Sequence, residues 1–258
     1  MVAALLIVAG LYLTLAAYVA LAQESFIFPA PPRGRAPAHA DRMVTVQGGP
    51  GGFVYFVQIA PPREGAPVVV HFHGNGEDLA DAGPMIDFLR SLEVGVVAVE
   101  YPGYGASAGR PSEQALYAAA EIALRHLRVP PDRIVLLGQS LGSGVAVEMA
   151  RRGLGARLAL ISPFTSMSDF GRRFFPWLPT GLLLRHRFDT LSKAPQIAIP
   201  VIIVHGTADE VVPFLMGERL SRAFPNAALT PIAGGGHNDL LWLHARELRE
   251  ALAPFLRF

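Results

Sequence analysis

The sequence has no cysteine among its 258 residues. That excludes disulfides, thiolate zinc sites and a cysteine nucleophile, and leaves the compartment open, because a cysteine-free chain folds in reducing and oxidising surroundings alike. An excess of either charge is also missing: 22 Lys and Arg face 21 Asp and Glu, for a net charge of +1. No basic field exists to hold a phosphate backbone, so nucleic acid is not an expected partner. Internal repeats and low-complexity tracts are lacking. With 51% apolar and 17% charged residues, the composition is that of a globular chain with a sizeable core.

A single long apolar run stands apart from the rest. Val2 to Ala22 carries no charge and no proline, and a membrane span needs about 20 such residues. The run predicts an uncleaved N-terminal anchor over residues 1–24, which would make the protein a single-pass membrane protein with its side left open. The alternative is secretion after cleavage near Ala22, since Ala20-Leu21-Ala22 has the small-x-small form of a signal-peptidase site. No Lys or Arg precedes the run, and it is longer than the roughly 7–15 residues of a signal core, which favours the anchor. Residues 25–42 hold four prolines between Phe28 and Pro37 and predict a stiff tether. The remainder, 43–258, is expected to form the catalytic domain.

Two short strand candidates open that domain, Met43 to Val46 and Phe53 to Ile59, with Gly48 to Gly52 as turn material between them, the pattern of an antiparallel hairpin. Six further apolar runs follow: Val68 to Phe72, Val94 to Val99, Ile134 to Leu137, Leu158 to Ile161, Val201 to Val204 and Ala228 to Ile232. Most alternate with helix-length segments, Ser112 to His126 and Leu141 to Arg152 being the clearest, and Asp239 to Phe258 predicts a closing amphipathic helix. Its expected buried stripe is Leu240, Leu241, Leu243, Leu248, Leu252 and Phe255. Continuous hydrophobicity marks strands covered on both faces, hence an α/β fold with a mostly parallel central sheet flanked by helices. Residues 164–198 break the alternation with Phe164, Phe170, Phe174, Phe175, Trp177 and Leu182 to Leu184 among several arginines. They predict a short lid insertion.

The chemistry-bearing residues fall at strand ends. Gly138-Gln139-Ser140-Leu141-Gly142 has the G-x-S-x-G form of a nucleophile elbow, in which small neighbours let a tight strand-to-helix turn push the serine hydroxyl outward. Gly105-Ala106-Ser107-Ala108-Gly109 has the same form, but it lies among Pro102, Gly103 and Pro111 rather than between a strand and a helix, so Ser140 is the expected nucleophile. A serine needs a base, and the base needs an orienting acid. His237, in the glycine loop between the last strand and the last helix, is the expected base. Asp209, just past the strand Val201 to Val204, is the expected acid, with Glu210 and Asp189 as competitors. The backbone N–H groups of Leu141 and Asn75 are the expected oxyanion donors. A metal reading of His71 and His73 fails for want of a third ligand at useful spacing, and no metal or organic cofactor is expected.

Taken together, these residues make the chain resemble the alpha/beta-hydrolase superfamily from about Met43 to Phe258. The resemblance is nearest to the single-pass membrane branch that includes lysophospholipases and protein depalmitoylases. It is carried by His73-Gly74-Asn75-Gly76, Tyr101-Pro102-Gly103-Tyr104-Gly105, Ser107 with Gly109-Arg110-Pro111-Ser112-Glu113, Gly138 to Gly144, Ser162-Pro163-Phe164, His205-Gly206 with Asp209, Val212-Pro213, and Gly236-His237. It implies a membrane-anchored serine hydrolase of the esterase, lipase or thioesterase type, acting on a small-molecule ester or acyl substrate, lipid-like ones included, through an acyl-Ser140 intermediate. The lid's aromatics suit an acyl chain, and Arg172, Arg173, Arg185 and Arg187 suit anionic head groups. The alternatives are a serine peptidase or amidase of the same fold and a catalytically silent, membrane-tethered binding module.

Overall fold

The computed structural model describes residues 1–48 and 52–257. Most of the turn expected at Gly48 to Gly52, and Phe258, lie outside the described residues. Among the described residues eight strands form one sheet: β1 (Met43–Gln47), β2 (Phe53–Ile59), β3 (Val68–Phe72), β4 (Gly95–Val99), β5 (Ile134–Gln139), β6 (Arg157–Ile161), β7 (Val201–Gly206) and β8 (Ala227–Ile232). Their spatial order is β1-β2-β4-β3-β5-β6-β7-β8. β1 and β2 pair antiparallel, as do β2 and β4, and every later pairing is parallel. This is the alpha/beta-hydrolase fold.

Alternation along each strand sends side chains to two covered faces. Val69, Val135, Leu137, Ala159 and Val204 pack with Ile86 and Leu89 of α2 (Gly83–Arg90) and with Leu248 and Leu252 of a C-terminal helix. Val70, Leu136, Leu158 and Ile203 pack with the other face's helices, α3 (Glu113–His126) and α4 (Leu141–Arg151) among them. The five residues of β3 and of β4 are buried throughout, which is why these strands read as unbroken apolar runs. Most of α4 is buried as well, because it lies across the sheet's centre.

The N-terminal helix α1 runs Val2–Ile27, three residues past the expected anchor boundary at 24. The extension is packed: Gln23 and Ile27 are buried, and the Gln23 amide bonds the carbonyl of Leu183 and receives the N–H of Arg185. The segment 164–198 covers the carboxyl end of the sheet with three short helices, α5 (Met167–Phe174), α6 (Thr180–Leu183) and α7 (Thr190–Lys193). Its far end is tied down where Lys193 meets the buried Glu148 of α4 at 2.9 Å. Burial alone would raise the Glu148 carboxyl, but hydrogen bonds from Arg151, Lys193 and Arg152 override it and hold the group at about 2. After β7 comes α8 (Phe214–Ala223). The last helix, α9, runs Ala245–Leu256, which corrects the expected start at Asp239. The Asp239 carboxylate accepts the N–H of Gly236, and its carbonyl accepts the N–H groups of Trp242 and Leu243, so residues 239–243 are spent on a turn. Leu243 is consequently 75% exposed, and Leu240, Leu248, Leu252 and Leu256 form the buried stripe.

The crossing of α4 over the sheet is unusually close. A Cβ added at Gly142 would lie 2.0 Å from the Phe72 carbonyl oxygen, and one at Gly138 would lie 2.4 Å from the Gly142 oxygen. Both contacts are with backbone, which has no rotamer to yield. Gly142→Ala is therefore expected to cost about 4 kcal/mol or more of folding stability, read from urea unfolding. Gly181→Ala, where the new methyl meets nothing within 4 Å, should leave the midpoint unchanged.

His71, inside β3, is 1% exposed, and neither ring nitrogen has a hydrogen-bond partner among the described residues. Burial, reinforced by neighbouring His73, pushes its imidazole down to about 3. In the unfolded chain the same ring protonates near 6.5, so the unfolded state gains a proton as pH falls from there towards 3, and the fold loses stability across that window. His71→Met is expected to remove on the order of 2 kcal/mol of the acid destabilisation between about pH 7 and pH 4. Unfolding curves of both proteins at the two pH values would measure it, and equal acid losses would contradict it.

Candidate active site

Ser140 sits between β5 and α4 with φ 49° and ψ −117°. A non-glycine residue at positive φ is strained, and here the strain comes from the sharp strand-to-helix turn. The Ser140 N–H is bonded to the Ile161 carbonyl at 3.0 Å, so the neighbouring strand fixes the turn. His237 follows β8 and Asp209 follows β7, which brings all three residues to the carboxyl edge of the sheet.

Their side chains form a connected line. His237 Nε2 lies 3.0 Å from Ser140 Oγ, and His237 Nδ1 lies 2.8 Å from Asp209 Oδ2. The carboxylate can only accept from Nδ1–H, which leaves the Nε2 lone pair to accept the serine O–H. Asp209 is fixed from its other side, where Oδ1 accepts the N–H groups of Val211 and Val212 at 3.0 and 2.7 Å. Burial works to raise the Asp209 carboxyl, but the hydrogen bonds from His205 and His237 outweigh it, and the group is held far below the ordinary carboxylate range.

His205 was missed as a site residue in the sequence because it lies inside a strand. Its Nε2 stands 2.9 Å from the Val212 carbonyl and 3.3 Å from Asp209 Oδ2. Both are acceptors, so Nε2 carries the proton and is shared between them. The available signal was its spacing, four residues before Asp209 at the end of an apolar run. Of the competitors for the acid, Asp189 caps α7 by accepting the Ser192 N–H, and Glu210 is exposed at the loop surface. Ser107 is buried beneath its loop, with its hydroxyl 3.5 Å from the Phe53 carbonyl.

The loop after β3 passes directly against the serine: a Cβ on Gly74 would lie 3.8 Å from that of Ser140. It is braced from below, where Tyr101 donates to the His73 carbonyl and Tyr104 to the Asn75 carbonyl, each at 2.9 Å, while Glu77 accepts the Gly74 N–H. His73 is occupied by Glu100 and by the Gly74 carbonyl. Leu141 is the first residue of α4, so its N–H has no partner in the preceding turn and points with the helix's positive end. Asn75, Leu141, Ser140 and His237 all line one cavity of about 450 Å³. Its walls are mostly apolar, from Phe164, Phe170, Phe175 and Leu184 of the insertion and from Val19, Phe26 and Ile27 of α1, with Gln23, Glu77 and Gln139 among the polar exceptions. The contribution of α1 was not legible in the sequence, where the run reads only as a span. On the other side of His237 lies a second cavity, of about 750 Å³, lined by Arg35, Glu77, Asp81 and Trp242 among others.

Known proteins with this architecture share more than its outline. The chain is 36% identical over 229 residues to an uncharacterised protein of Mycobacterium tuberculosis, covering 85% of this chain and 80% of that one. It is 37% identical over 195 residues to alpha/beta hydrolase domain-containing protein aho-3 of Caenorhabditis elegans, where the match spans 71% of this chain but 55% of the relative. Among solved structures, Est1E of Butyrivibrio proteoclasticus with bound ferulic acid superposes with a TM-score of 0.68 at 20% identity, covering 83% of this chain and 97% of the other. The Pyrococcus furiosus esterase Pf2001 gives 0.68 at 19% identity, with 89% and 96% covered. Residues 68–196 match the model of the alpha/beta hydrolase family, and with the relative from M. tuberculosis matched across most of both chains, this protein belongs to that family.

Proposed function

We propose that the protein is a membrane-anchored serine hydrolase that cleaves carboxylic esters or thioesters through an acyl-Ser140 intermediate. The observation that carries this reading is the unbroken line from Ser140 through His237 to Asp209 at the wall of an apolar cavity. In the proposed cycle His237 Nε2 takes the serine proton as Oγ bonds to the acyl carbon, and the carbonyl oxygen becomes an oxyanion facing the N–H groups of Leu141 and Asn75. Each such donor contributes about 3 kcal/mol to transition-state stabilisation. Collapse of the intermediate breaks the bond to the leaving group, which receives the proton from His237. Water then repeats the sequence in reverse and frees the acid. Asp209, ionised throughout, stabilises the imidazolium that forms twice per turnover.

The cavity walls suit a hydrocarbon acyl group, and the second cavity, with Arg35, Glu77, Asp81 and Trp242, suits a polar leaving group. A silent scaffold has no need of a strained serine in hydrogen-bonding reach of an oriented histidine, so the same geometry weighs against that alternative. Anchoring rests on α1, which is long and apolar enough to cross a membrane, with a mean hydropathy of 2.3 in its most apolar stretch and 6% of that stretch buried.

A fluorophosphonate probe is expected to label the wild-type protein and Ser107→Ala but not Ser140→Ala; label retained on a folded Ser140→Ala would remove the assignment. On p-nitrophenyl esters of increasing acyl length, kcat/KM is expected to rise with length and to exceed that on aminoacyl nitroanilides. Faster turnover of the anilides would replace the esterase reading with the amidase one.

A further inference from the structure

Residues 174–184 read Phe-Phe-Pro-Trp-Leu-Pro-Thr-Gly-Leu-Leu-Leu, a stretch with no charge, bracketed by Arg172 and Arg173 on one side and by Arg185, His186 and Arg187 on the other. A soluble cap would turn such residues inward. Here Phe174, Trp177 and Leu182 are 50%, 48% and 85% exposed. Much of the backbone of the same stretch is satisfied locally. Pro176 and Pro179 have no N–H, and the N–H groups of Phe175, Leu178, Thr180, Leu182, Leu183 and Leu184 all bond carbonyls within residues 171–180. The Thr180 hydroxyl donates to the Ser168 carbonyl. Internal satisfaction of this kind is what hydrocarbon demands and water does not.

The tip is also docked alongside α1. Tyr12 donates its hydroxyl to the Trp177 carbonyl at 3.0 Å, and the two rings meet edge to face. Further along the helix, Glu24 stands 3.3 Å from Arg185, so the charged end of the stretch and its apolar tip contact α1 twelve residues apart. At 1.5 Å per residue that separation is about 18 Å, against roughly 15 Å for half of a bilayer's hydrocarbon core. An α1 that enters the membrane with Glu24 at the headgroups therefore carries Trp177 in with it.

Resting on the anchored-hydrolase reading above, we propose that residues 174–184 are immersed in the hydrocarbon of one leaflet beside α1, with Arg172, Arg173 and Arg185 at headgroup level, and that the acyl chain reaches Ser140 from that leaflet. The partner is the lipid bilayer itself. The site's cavity lies between the two immersed elements, with Val19 and Phe26 of α1 and Phe175 and Leu184 of the insertion on its walls, so a chain can pass from lipid to Ser140 without crossing water.

The sequence has two tryptophans, so full-length Trp242→Phe reports on Trp177 alone. It would be reconstituted into phosphatidylcholine–phosphatidylglycerol vesicles brominated either near the glycerol or near mid-chain, with unbrominated vesicles as reference. The expected result is loss of more than about half of the Trp177 emission with mid-chain bromine. Protein that floats with the vesicles but shows no mid-chain quenching overturns the proposal and leaves the anchor standing; protein that does not float with them removes both. A second arm uses Leu182→Glu, outside the cavity wall. Its KM for a long-chain ester presented in vesicles should rise on the order of a hundredfold, the cost of placing a carboxylate in lipid, while kcat/KM on a water-soluble short-chain ester stays unchanged. Equal values on both substrates would overturn the proposal. A wild type that turns over neither ester refutes the hydrolase reading, and the fluorescence still decides immersion.

Discussion

The close passage of α4 over the end of β3 sets the geometry on which the site depends. With Gly142 almost touching the Phe72 carbonyl, the helix axis is drawn towards the sheet, and the chain between β5 and α4 has no length to spare. Ser140 is forced to positive φ, which turns its hydroxyl away from the sheet and puts the first N–H of α4 beside it. The same approach places the loop after β3 against the serine. One steric allowance, two glycines where any side chain would collide, thus arranges the hydroxyl, the helix end and the facing loop together, and the hydrogen bonds of Tyr101 and Tyr104 then hold that loop in place.

Around this point the structure is electrostatically lopsided. Asp209 is supplied with more donors than a carboxylate needs to stay ionised: two backbone N–H groups, His205 and His237. Its negative charge is therefore held firmly beside the His237 ring. His71, two residues from the loop that faces the serine, has the opposite environment and stays neutral. Two buried histidines near one site thus differ because one faces a carboxylate and the other has no hydrogen-bond partner among the described residues.

How much of this was legible in the sequence follows from which forces are local. The central strands were readable because burial on both faces leaves runs made mostly of Val, Ile and Leu. Ser140, Asp209 and His237 were readable as candidates because each follows such a run, and the parallel topology brings strand ends to one edge. What tertiary packing alone decides was not readable. His205 looked like any strand residue until Asp209 folded back onto it. The start of α9 was misplaced because Asp239 spends its side chain on a turn that mimics a helix beginning. Most of all, the apolar pattern of α1 shows a helix long enough to cross a membrane but says nothing of which residues turn towards the site.

Because Val19, Phe26 and Ile27 form part of the wall around Ser140, the hydrophobic helix and the reaction chamber share a boundary. Trimming the helix to obtain a soluble form would open a window in that chamber and take away the Gln23 hydrogen bonds to Leu183 and Arg185. Such a protein would be a breached vessel, and any selectivity read from it would describe the truncation as much as the intact chain.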